Sequence, residues 1–275
     1  IPLLLEEEGL GELVIKKLGL KARRADLRQW RELVERLKTP NEPVKIALVG
    51  KYVELTDSYF SVREALCHAA LHHNRQLELL WVHSEELEKD GTDARLRSAQ
   101  GIVVPGGFGI RGIEGMIRAA NYARTNEIPY LGLCLGMQVM VIEFARHVLN
   151  SPKPNSTEFD PDTPYPVIDF LPEQKKLQNK GGTMRLGNYP CRLLPDSHAA
   201  QAYGKSLIYE RHRHRYEFNN KFRAQLQEAG MICSGLSPDN KLVEICELAN
   251  HPWMVSCQFH PEFGSRPSRP HPLFR

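Results

Sequence analysis

The chain has 275 residues, of which 41% are hydrophobic, and this is enough apolar material for one ample core with an appended segment. Its 36 basic and 33 acidic side chains leave a formal charge of only +3, which gives no reason to expect a nucleic acid or an anionic membrane as partner. No apolar run approaches the roughly 20 residues that span a bilayer, and no signal peptide is expected. The six cysteines are scattered without CxxC pairs, which favours reduced thiols in the cytoplasm and predicts no metal site.

The N-terminal region is predicted to be helical. Leucines recur there at helical spacing, and a second amphipathic run follows. The segment Thr39–Pro43 contains two prolines and ends the pattern. We therefore interpret residues 1–42 as a helical interdomain linker. Because the sequence begins with Ile1 rather than Met, we expect the chain to be a piece of a longer protein or a processed form. The alternative is a helical decoration of the domain that follows at 43–275.

Buried strands alternate with helices in the next part of the chain. Strands are predicted at 44–50, 77–82, 102–104 and 131–133, and helices at 61–73, 113–124 and 135–149. This alternation predicts a mostly parallel sheet covered on both faces, with an active site at the carboxyl ends of its strands. The pair Gly50-Lys51 lacks the other residues of a GxxxxGK[ST] phosphate loop, so we predict no nucleotide there.

A glycine-rich turn follows the third predicted strand, with the sequence Pro105-Gly106-Gly107-Phe108-Gly109. Glycines free the backbone to aim N–H groups at a developing oxyanion. Most such turns are only turns. The place of this one at the end of a parallel-type strand predicts that it forms one wall of an active site.

A cysteine at the next strand end has the spacing of a nucleophile elbow. Cys134 follows an apolar strand, precedes an apolar helical pattern and is flanked two residues away by Gly132 and Gly136. At a helix N-terminus, the helix dipole and unpaired N–H groups favour the thiolate. A buried structural cysteine is the alternative, and the two glycines argue against it. The N–H groups of Leu135 and Gly107 are candidates for an oxyanion hole.

Predicted strands outnumber helices after residue 166, which indicates antiparallel strands added to the sheet. They are predicted at 167–171, 189–194, 207–210, 214–218, 231–234, 242–248 and 253–259. In the polar loop before them, Glu158 places a carboxylate shortly after the elbow helix. The run Arg211–Arg215 alternates arginine with histidine, so a strand there would present its arginines on one face. We expect the histidines to pack and hydrogen-bond, because no third metal ligand can be placed.

A base and an orienting carboxylate follow the last predicted strand in the sequence His260-Pro261-Glu262. The imidazole is suited to take the thiol proton, and the carboxylate to hold the other ring nitrogen. A lone histidine here would be a surface or capping residue. Together with the elbow, it predicts a catalytic triad of Cys134, His260 and Glu262.

The motifs Pro-Gly-Gly, Gly-x-Cys-x-Gly and His-Pro-Glu occur in this order, and on them the chain resembles the class I (triad) glutamine amidotransferases. Three further stretches narrow the resemblance to the amidotransferase domain of CTP synthases: Asn155–Phe159, Gly181–Gly187 and Glu210–Glu217. The resemblance covers nearly the whole chain. The expected fold is α/β with three αβα layers, in which a mostly parallel central sheet carries added antiparallel strands, as in class I glutamine amidotransferases and flavodoxin-like proteins.

The resemblance implies that L-glutamine is hydrolysed through a cysteinyl thioester. Glu158 is then expected to receive the α-amino group of glutamine and Arg215 its α-carboxylate, since an arginine fork matches a carboxylate in two-point contact. Phe108 resembles the lid over the glutamine pocket. The other expected pocket residues are Gly107, Leu135, Gly136, Met137 and Gln138.

The resemblance also implies a synthetase domain outside this chain, which aminates UTP to CTP with ATP and Mg²⁺. The amidotransferase domain itself is expected to need no cofactor, and GTP is the expected allosteric activator. Arg111, Gly112 and Glu114 match the stretch that couples to GTP, although a polar helix start is the alternative. The full-length protein is expected to be a cytoplasmic homotetramer without nucleic-acid or membrane partners.

Three other functions stay open from the residues alone. A different triad amidotransferase is disfavoured by the stretches 181–187 and 211–217. A cysteine or γ-glutamyl peptidase with the same elbow would accept peptides. A basic binding module that uses Arg211–Arg215 would bind nucleic acid with strong salt dependence, but it leaves the triad unexplained.

Overall fold

The structure, a computed structural model, describes residues 1–22, 25–39, 41–89, 92–170 and 184–275. The helices within these residues are α1 Pro2–Glu7, α2 Leu10–Leu18, α3 Arg28–Lys38, α4 Phe60–His72, α5 Ile113–Thr125, α6 Leu135–Val148, α7 His198–Tyr203 and α8 Arg223–Glu228. The strands are β1 Pro43–Gly50, β2 Gln76–His83, β3 Gly101–Val104, β4 Tyr130–Leu133, β5 Asn155–Ser156, β6 Pro166–Asp169, β7 Arg185–Leu193, β8 Leu207–His214, β9 Glu217–Phe218, β10 Met231–Leu236, β11 Val243–Leu248 and β12 Met254–Cys257. The predicted alternation of strand and helix before residue 150 is confirmed.

The described strands form a nine-stranded sheet in the order β2-β1-β3-β4-β12-β11-β10-β7-β8 and a three-stranded sheet in the order β5-β6-β9. In the large sheet, β2, β1, β3, β4 and β12 are parallel neighbours. The strands β11, β10, β7 and β8 extend it through antiparallel pairs. With β12 in fifth place, the parallel part has the 2-1-3-4-5 order of flavodoxin-like folds.

The parallel strands bury side chains on both faces of the sheet. In β3, Ile102 and Val104 face the core that contains α5 and α6, whereas Val103 faces the core that contains α4. In β12, Met254 faces the core that contains α5 and α6, and Val255 faces the core that contains α4. Because successive residues of a strand point to opposite faces, a run of apolar residues fills both cores. The predicted three-layer αβα architecture is confirmed.

The helices before the first strand pack differently from the rest. No residue of α1, α2 or α3 is buried, and Leu4 and Leu18 are 63% and 66% exposed. The strand β1 begins at Pro43, where the domain was predicted to begin. The role of residues 1–42 as an interdomain linker stays a prediction. Among the described helices, none has the length and apolar character needed to cross a membrane.

The C-terminal half has the added antiparallel strands that were predicted, with differences in their limits. β7 begins at Arg185 rather than at residue 189, and β12 ends at Cys257 rather than at residue 259. Two strands were predicted at 207–210 and 214–218, whereas β8 is continuous from Leu207 to His214 and β9 belongs to the smaller sheet. The predicted alternation of faces holds within β8, since Arg211 and Arg213 are exposed and His212 and His214 are buried. The end of the strand predicted at 167–171 and the beginning of the stretch 181–187 lie outside the described residues.

Candidate active site

The predicted strand, turn and helix are present at Cys134. The residue lies between β4 and α6 with φ 54° and ψ −98°, a conformation that L-residues rarely adopt. Its N–H donates to the carbonyl oxygen of Cys257 at 2.7 Å, which ties the turn to β12. The side chain is therefore held at the N-terminus of α6, and it is 3% exposed.

The two glycines of the elbow are required by close packing. A Cβ on Gly132 would lie 2.6 Å from the carbonyl of Gly136 and 2.9 Å from the Cβ of Ser256. A Cβ on Gly136 would overlap the carbonyl oxygen of Val104 in β3. The strand, the turn and the helix approach this closely only without side chains, which is why the spacing Gly-x-Cys-x-Gly predicts the turn.

The end of β12 brings His260 and Glu262 to the elbow. β12 is parallel to β4, with Cys257 beside Leu133, so the residues that follow both strands meet at one edge of the sheet. Nδ1 of His260 lies 2.8 Å from Oε1 of Glu262, and the imidazole lies close to Cys134, since a Cβ on Gly106 would be 3.0 Å from Cε1 of His260 and 3.6 Å from the Cβ of Cys134. Since Nδ1 faces Glu262, Nε2 is the nitrogen available to the sulfur.

The surroundings of His260 favour its charged form. Burial lowers the pKa of His260, but its hydrogen bonds to Cys134 and Glu262 and the charges of both groups outweigh burial and raise the pKa to about 10. His260 is therefore protonated at neutral pH. An imidazolium beside a cysteine is the arrangement that stabilises a thiolate nucleophile.

The glycine-rich turn after β3 lies against these groups. A Cβ on Gly106 would lie 3.0 Å from Cε1 of His260 and 3.6 Å from the Cβ of Cys134. A Cβ on Gly107 would lie 3.0 Å from Cδ2 of Leu135. Leu135 is the first residue of α6, so its N–H has no acceptor within the helix. The structure therefore brings Gly107 beside Leu135, the residue that follows Cys134, and their role as an oxyanion hole stays a prediction.

Lys51 supports the same turn, a contact that the sequence analysis missed. It follows β1 directly and is 2% exposed. Its Nζ donates to the carbonyl oxygen of Phe108 at 3.0 Å and to that of Gly109. Burial, reinforced by Arg111 and opposed by the carboxylate of Glu158, lowers the pKa of Lys51 to about 8. The available signal was a lysine at the carboxyl end of a buried parallel strand, at the edge where β3 and β4 also end.

Glu158 and Arg215, the predicted partners of an amino acid's charged groups, are near each other. Oε1 of Glu158 accepts from the N–H of Gly109 at 2.8 Å. Burial raises the pKa of Glu158, while the Gly109 hydrogen bond and the charges of Lys51 and Arg215 oppose it. Arg215 lies just beyond the end of β8 rather than within the strand. Glu158 is thus held against the turn that carries Gly107, and the charge of Arg215 acts on it.

The other predicted pocket residues lie in the first turn of α6 and at the rim of a cavity. Gly136, Met137 and Gln138 are buried, and the side chain of Met137 belongs to the apolar core, so only its backbone can contact a ligand. A cavity of about 360 Å³ is lined by Gly107, Phe108, His260 and ten other residues, and Phe108 is 50% exposed at its edge. The lining does not include Cys134, Glu158 or Arg215.

The residues predicted to couple to GTP lie in different surroundings. Arg111 donates to the carbonyl oxygen of Lys51 at 3.0 Å and pairs with Glu85 at 2.5 Å, which places it next to the glycine-rich turn. Gly112 precedes α5. Glu114 instead pairs with Arg146 of α6 at 2.6 Å. The structure therefore brings Arg111, but not the carboxylate of Glu114, to the candidate active site.

The chain is similar to known glutamine amidotransferases. A family model described as "Glutamine amidotransferase class-I" matches residues 54–275. CTP synthases of Dehalococcoides mccartyi and Moorella thermoacetica are 66% and 58% identical over 275 residues, and the match covers all of this chain but 51% of each of those proteins. The chain therefore spans about half the length of the curated relatives it matches.

A solved structure matches over most of its own length. It is the glutaminase domain of Trypanosoma brucei CTPS with bound acivicin, with 38% identity and a TM-score of 0.78, and the match covers 84% of this chain and 90% of that one. The chain belongs to the class I glutamine amidotransferase family. Within that family it belongs with the glutaminase domains of CTP synthases.

Proposed function

We propose that the chain hydrolyses L-glutamine through a cysteinyl thioester and supplies the ammonia for the ATP-dependent amination of UTP to CTP. The observation that carries the proposal is the convergence of three strand ends. His260 after β12 lies 2.8 Å from Glu262, Gly106 after β3 lies against both His260 and Cys134, and Gly107 lies against Leu135, the residue that follows Cys134.

The first step forms the thioester. The Cys134 thiolate attacks the side-chain amide carbon of glutamine, and the N–H groups of Gly107 and Leu135 stabilise the oxyanion that results, at roughly 3 kcal/mol per donor in comparable sites. The C–N bond then breaks as the His260 imidazolium donates its Nε2 proton to the departing nitrogen, so that ammonia leaves. Glu262 holds Nδ1 throughout and keeps the ring oriented.

The second step releases glutamate. Neutral His260 takes a proton from water, and the resulting hydroxide attacks the thioester carbon. The C–S bond breaks, glutamate leaves, and the thiolate and imidazolium are restored. The same two N–H groups stabilise the second oxyanion.

Selection of an L-α-amino acid is assigned to the charges beside the turn. Arg215 binds the α-carboxylate and Glu158 the α-ammonium group. One oxygen of Glu158 already accepts from Gly109, so binding of the ammonium group to this carboxylate would couple substrate to the backbone that carries Gly107. Phe108, Gly136 and Gln138 complete the pocket.

The remaining parts of the proposal concern the protein to which this chain belongs. The names of its relatives, of which this chain covers 51%, support a synthetase domain outside this chain. That this domain uses ATP and Mg²⁺, and that residues 1–42 link it to the rest, are further parts of the proposal. The exposed leucines of α1 and α2 support packing of that linker against a further domain. GTP activation through Arg111, a homotetramer and a cytoplasmic location are the other expectations. Alone, this chain is expected to be at most a weak glutaminase.

Covalent labelling tests the proposal without requiring turnover. A diazoketone analogue of glutamine is expected to add to Cys134 alone, as peptide mass spectrometry would reveal, and excess L-glutamine is expected to protect the residue. The half-exposed thiol of Cys67 serves as the internal control. Labelling of Cys67 but not Cys134, or equal labelling with and without glutamine, would overturn the proposal. Release of free amino acids from peptides would favour the peptidase instead.

A further inference from the structure

A second side chain, besides His260, contacts the candidate nucleophile. Gln258 is fully buried, and its Nε2 lies 3.7 Å from Sγ of Cys134, within hydrogen-bonding distance for sulfur. Its backbone N–H donates to the carbonyl oxygen of Glu244 at 2.8 Å, which fixes the residue between β12 and His260. No role for Gln258 is predicted from the sequence.

The orientation of the Gln258 amide follows from its neighbours. Gln138 lies 3.4 Å from the carbonyl oxygen of Tyr216 and 3.4 Å from the Gln258 amide. A backbone carbonyl can only accept, so the Gln138 atom that faces Tyr216 is Nε2. The same Nε2 faces Gln258, which must present its oxygen. Nε2 of Gln258 is then directed at the sulfur, as a donor.

Two buried histidines support the carbonyl on which this orientation depends. Nδ1 of His214 lies 3.1 Å from the same Tyr216 oxygen and must donate to it. Burial and the charge of Arg185 lower the pKa of His214 to about 3. The same two causes, together with His214, lower the pKa of His212 to about 2. Both rings are therefore neutral. Nε2 of His214 is therefore an acceptor, and it takes a hydrogen bond from Nδ1 of His212 at 2.8 Å.

The other neighbours of the sulfur do not replace this donor. The carbonyl oxygen of Arg213, 3.9 Å from Sγ, can only accept and so favours the neutral thiol. Burial raises the pKa of the neighbouring Cys257 thiol well above its usual value, so it stays uncharged. A buried thiolate needs hydrogen bonds to replace water, and His260 and Gln258 supply them.

We propose that Gln258 is a further catalytic residue, whose side-chain amide donates a hydrogen bond to the Cys134 thiolate. Gln138 and the carbonyl oxygen of Tyr216 orient this amide so that its Nε2 faces the sulfur. This inference rests on the proposed role of Cys134 as nucleophile. A hydrogen bond to the charged form lowers the pKa of the group that carries the charge. Gln258 therefore increases the fraction of Cys134 present as thiolate.

Replacement by methionine removes the donor and nearly preserves the volume. In Gln258→Met, the midpoint of Cys134 alkylation by iodoacetamide against pH is expected to rise by about one to two pKa units, because a hydrogen bond to a charged group is worth that much. The kcat for glutamine is expected to fall about 10-fold at neutral pH, with KM nearly unchanged. Gln227→Met, on the exposed surface of α8, is the matched control and should change neither quantity.

The outcomes separate the two proposals. If wild-type protein neither hydrolyses glutamine nor is alkylated at Cys134, the proposed function fails. If wild type does both and Gln258→Met keeps the wild-type midpoint and kcat, only the role of Gln258 is overturned.

A spectroscopic measurement keeps the test independent of whether Gln258→Met folds. In wild-type protein, the ¹⁵N side-chain amide resonance of Gln258 is expected to titrate with the same midpoint as Cys134 alkylation. The titration should be absent in Cys134→Ala. A resonance that does not move with pH in wild-type protein, or that moves equally in Cys134→Ala, would contradict the hydrogen bond.

Discussion

The two halves of the nine-stranded sheet position side chains in different ways. In the parallel half, apolar residues of β3, β4 and β12 fill both cores, and backbone contacts of Gly132 and Gly136 set the position of the cysteine. In the antiparallel half, charged and polar groups are buried. Arg185 pairs with Glu244 at 2.9 Å and Glu217 at 3.3 Å.

The groups that are proposed to carry out the reaction lie in the parallel half of the sheet, whereas Arg215, which is proposed to bind the substrate, lies in the antiparallel half. Cys134, His260 and Gly107 follow parallel strands, whereas Arg215 follows the antiparallel strand β8. Burial, supported by Glu244 and opposed by Arg185, raises the pKa of Glu217 to about 8. We infer that substitutions in the parallel half mainly affect turnover, and those in the antiparallel half stability and substrate affinity.

The largest expected effect is on turnover. Cys134→Ser should lower kcat for glutamine hydrolysis by more than about 10³-fold, because a serine hydroxyl is a far weaker nucleophile than a thiolate at this position. Cys67→Ser, on α4, should keep wild-type activity. Coupled measurement of glutamate and ammonia provides the test, and unchanged ammonia release in Cys134→Ser would refute the assignment.

The next effect is on stability. Arg185→Met removes the cation that pairs with the buried side chains of Glu244 and Glu217, which should lower the free energy of unfolding by about 3–5 kcal/mol. Arg192→Met, in the same strand but exposed, should cost less than about 1 kcal/mol. Urea denaturation measures the free energy of unfolding of both variants. Equal losses of stability would show that the buried charges of the antiparallel half do not contribute more than exposed ones.

A smaller effect is expected on affinity. Arg215→Met should raise the KM for glutamine about 10-fold or more while kcat changes only a few-fold, because the guanidinium is proposed to bind a group that does not react. Arg211→Met, exposed on the same strand, is the control. Steady-state kinetics would decide, since a fall in kcat alone would contradict the separation of the two halves.

The smallest expected effect is a shift in pH dependence. Glu262 raises the pKa of His260, so Glu262→Gln should lower that pKa and move the alkaline limb of kcat/KM from near pH 10 to lower pH, by about one unit. Activity should then be lost earlier as the pH rises. A limb that stays in place, or moves to higher pH, would show that His260 does not set it.

Much of the fold followed from local patterns in the sequence. Apolar runs interrupted at regular intervals predicted the parallel strands and the helices α4, α5 and α6, and glycines at fixed spacing predicted the turn at Cys134. The continuous strand β8 was not predicted as one element. The central residues of β8 are charged, and they pair with residues of another strand. Arg211, for example, lies opposite Asn188 of β7.

The sequence alone therefore determined the kinds of groups at the site, because nucleophile, base, carboxylate and glycines are each recognisable from their neighbours in the chain. Only the tertiary structure decided which side chains support them. The contacts of Lys51 with the turn and of Gln258 with the sulfur join strands far apart in sequence. Hydrogen bonds across such distances leave no periodic pattern in the sequence, since the partner of each group is set by how the sheet is assembled.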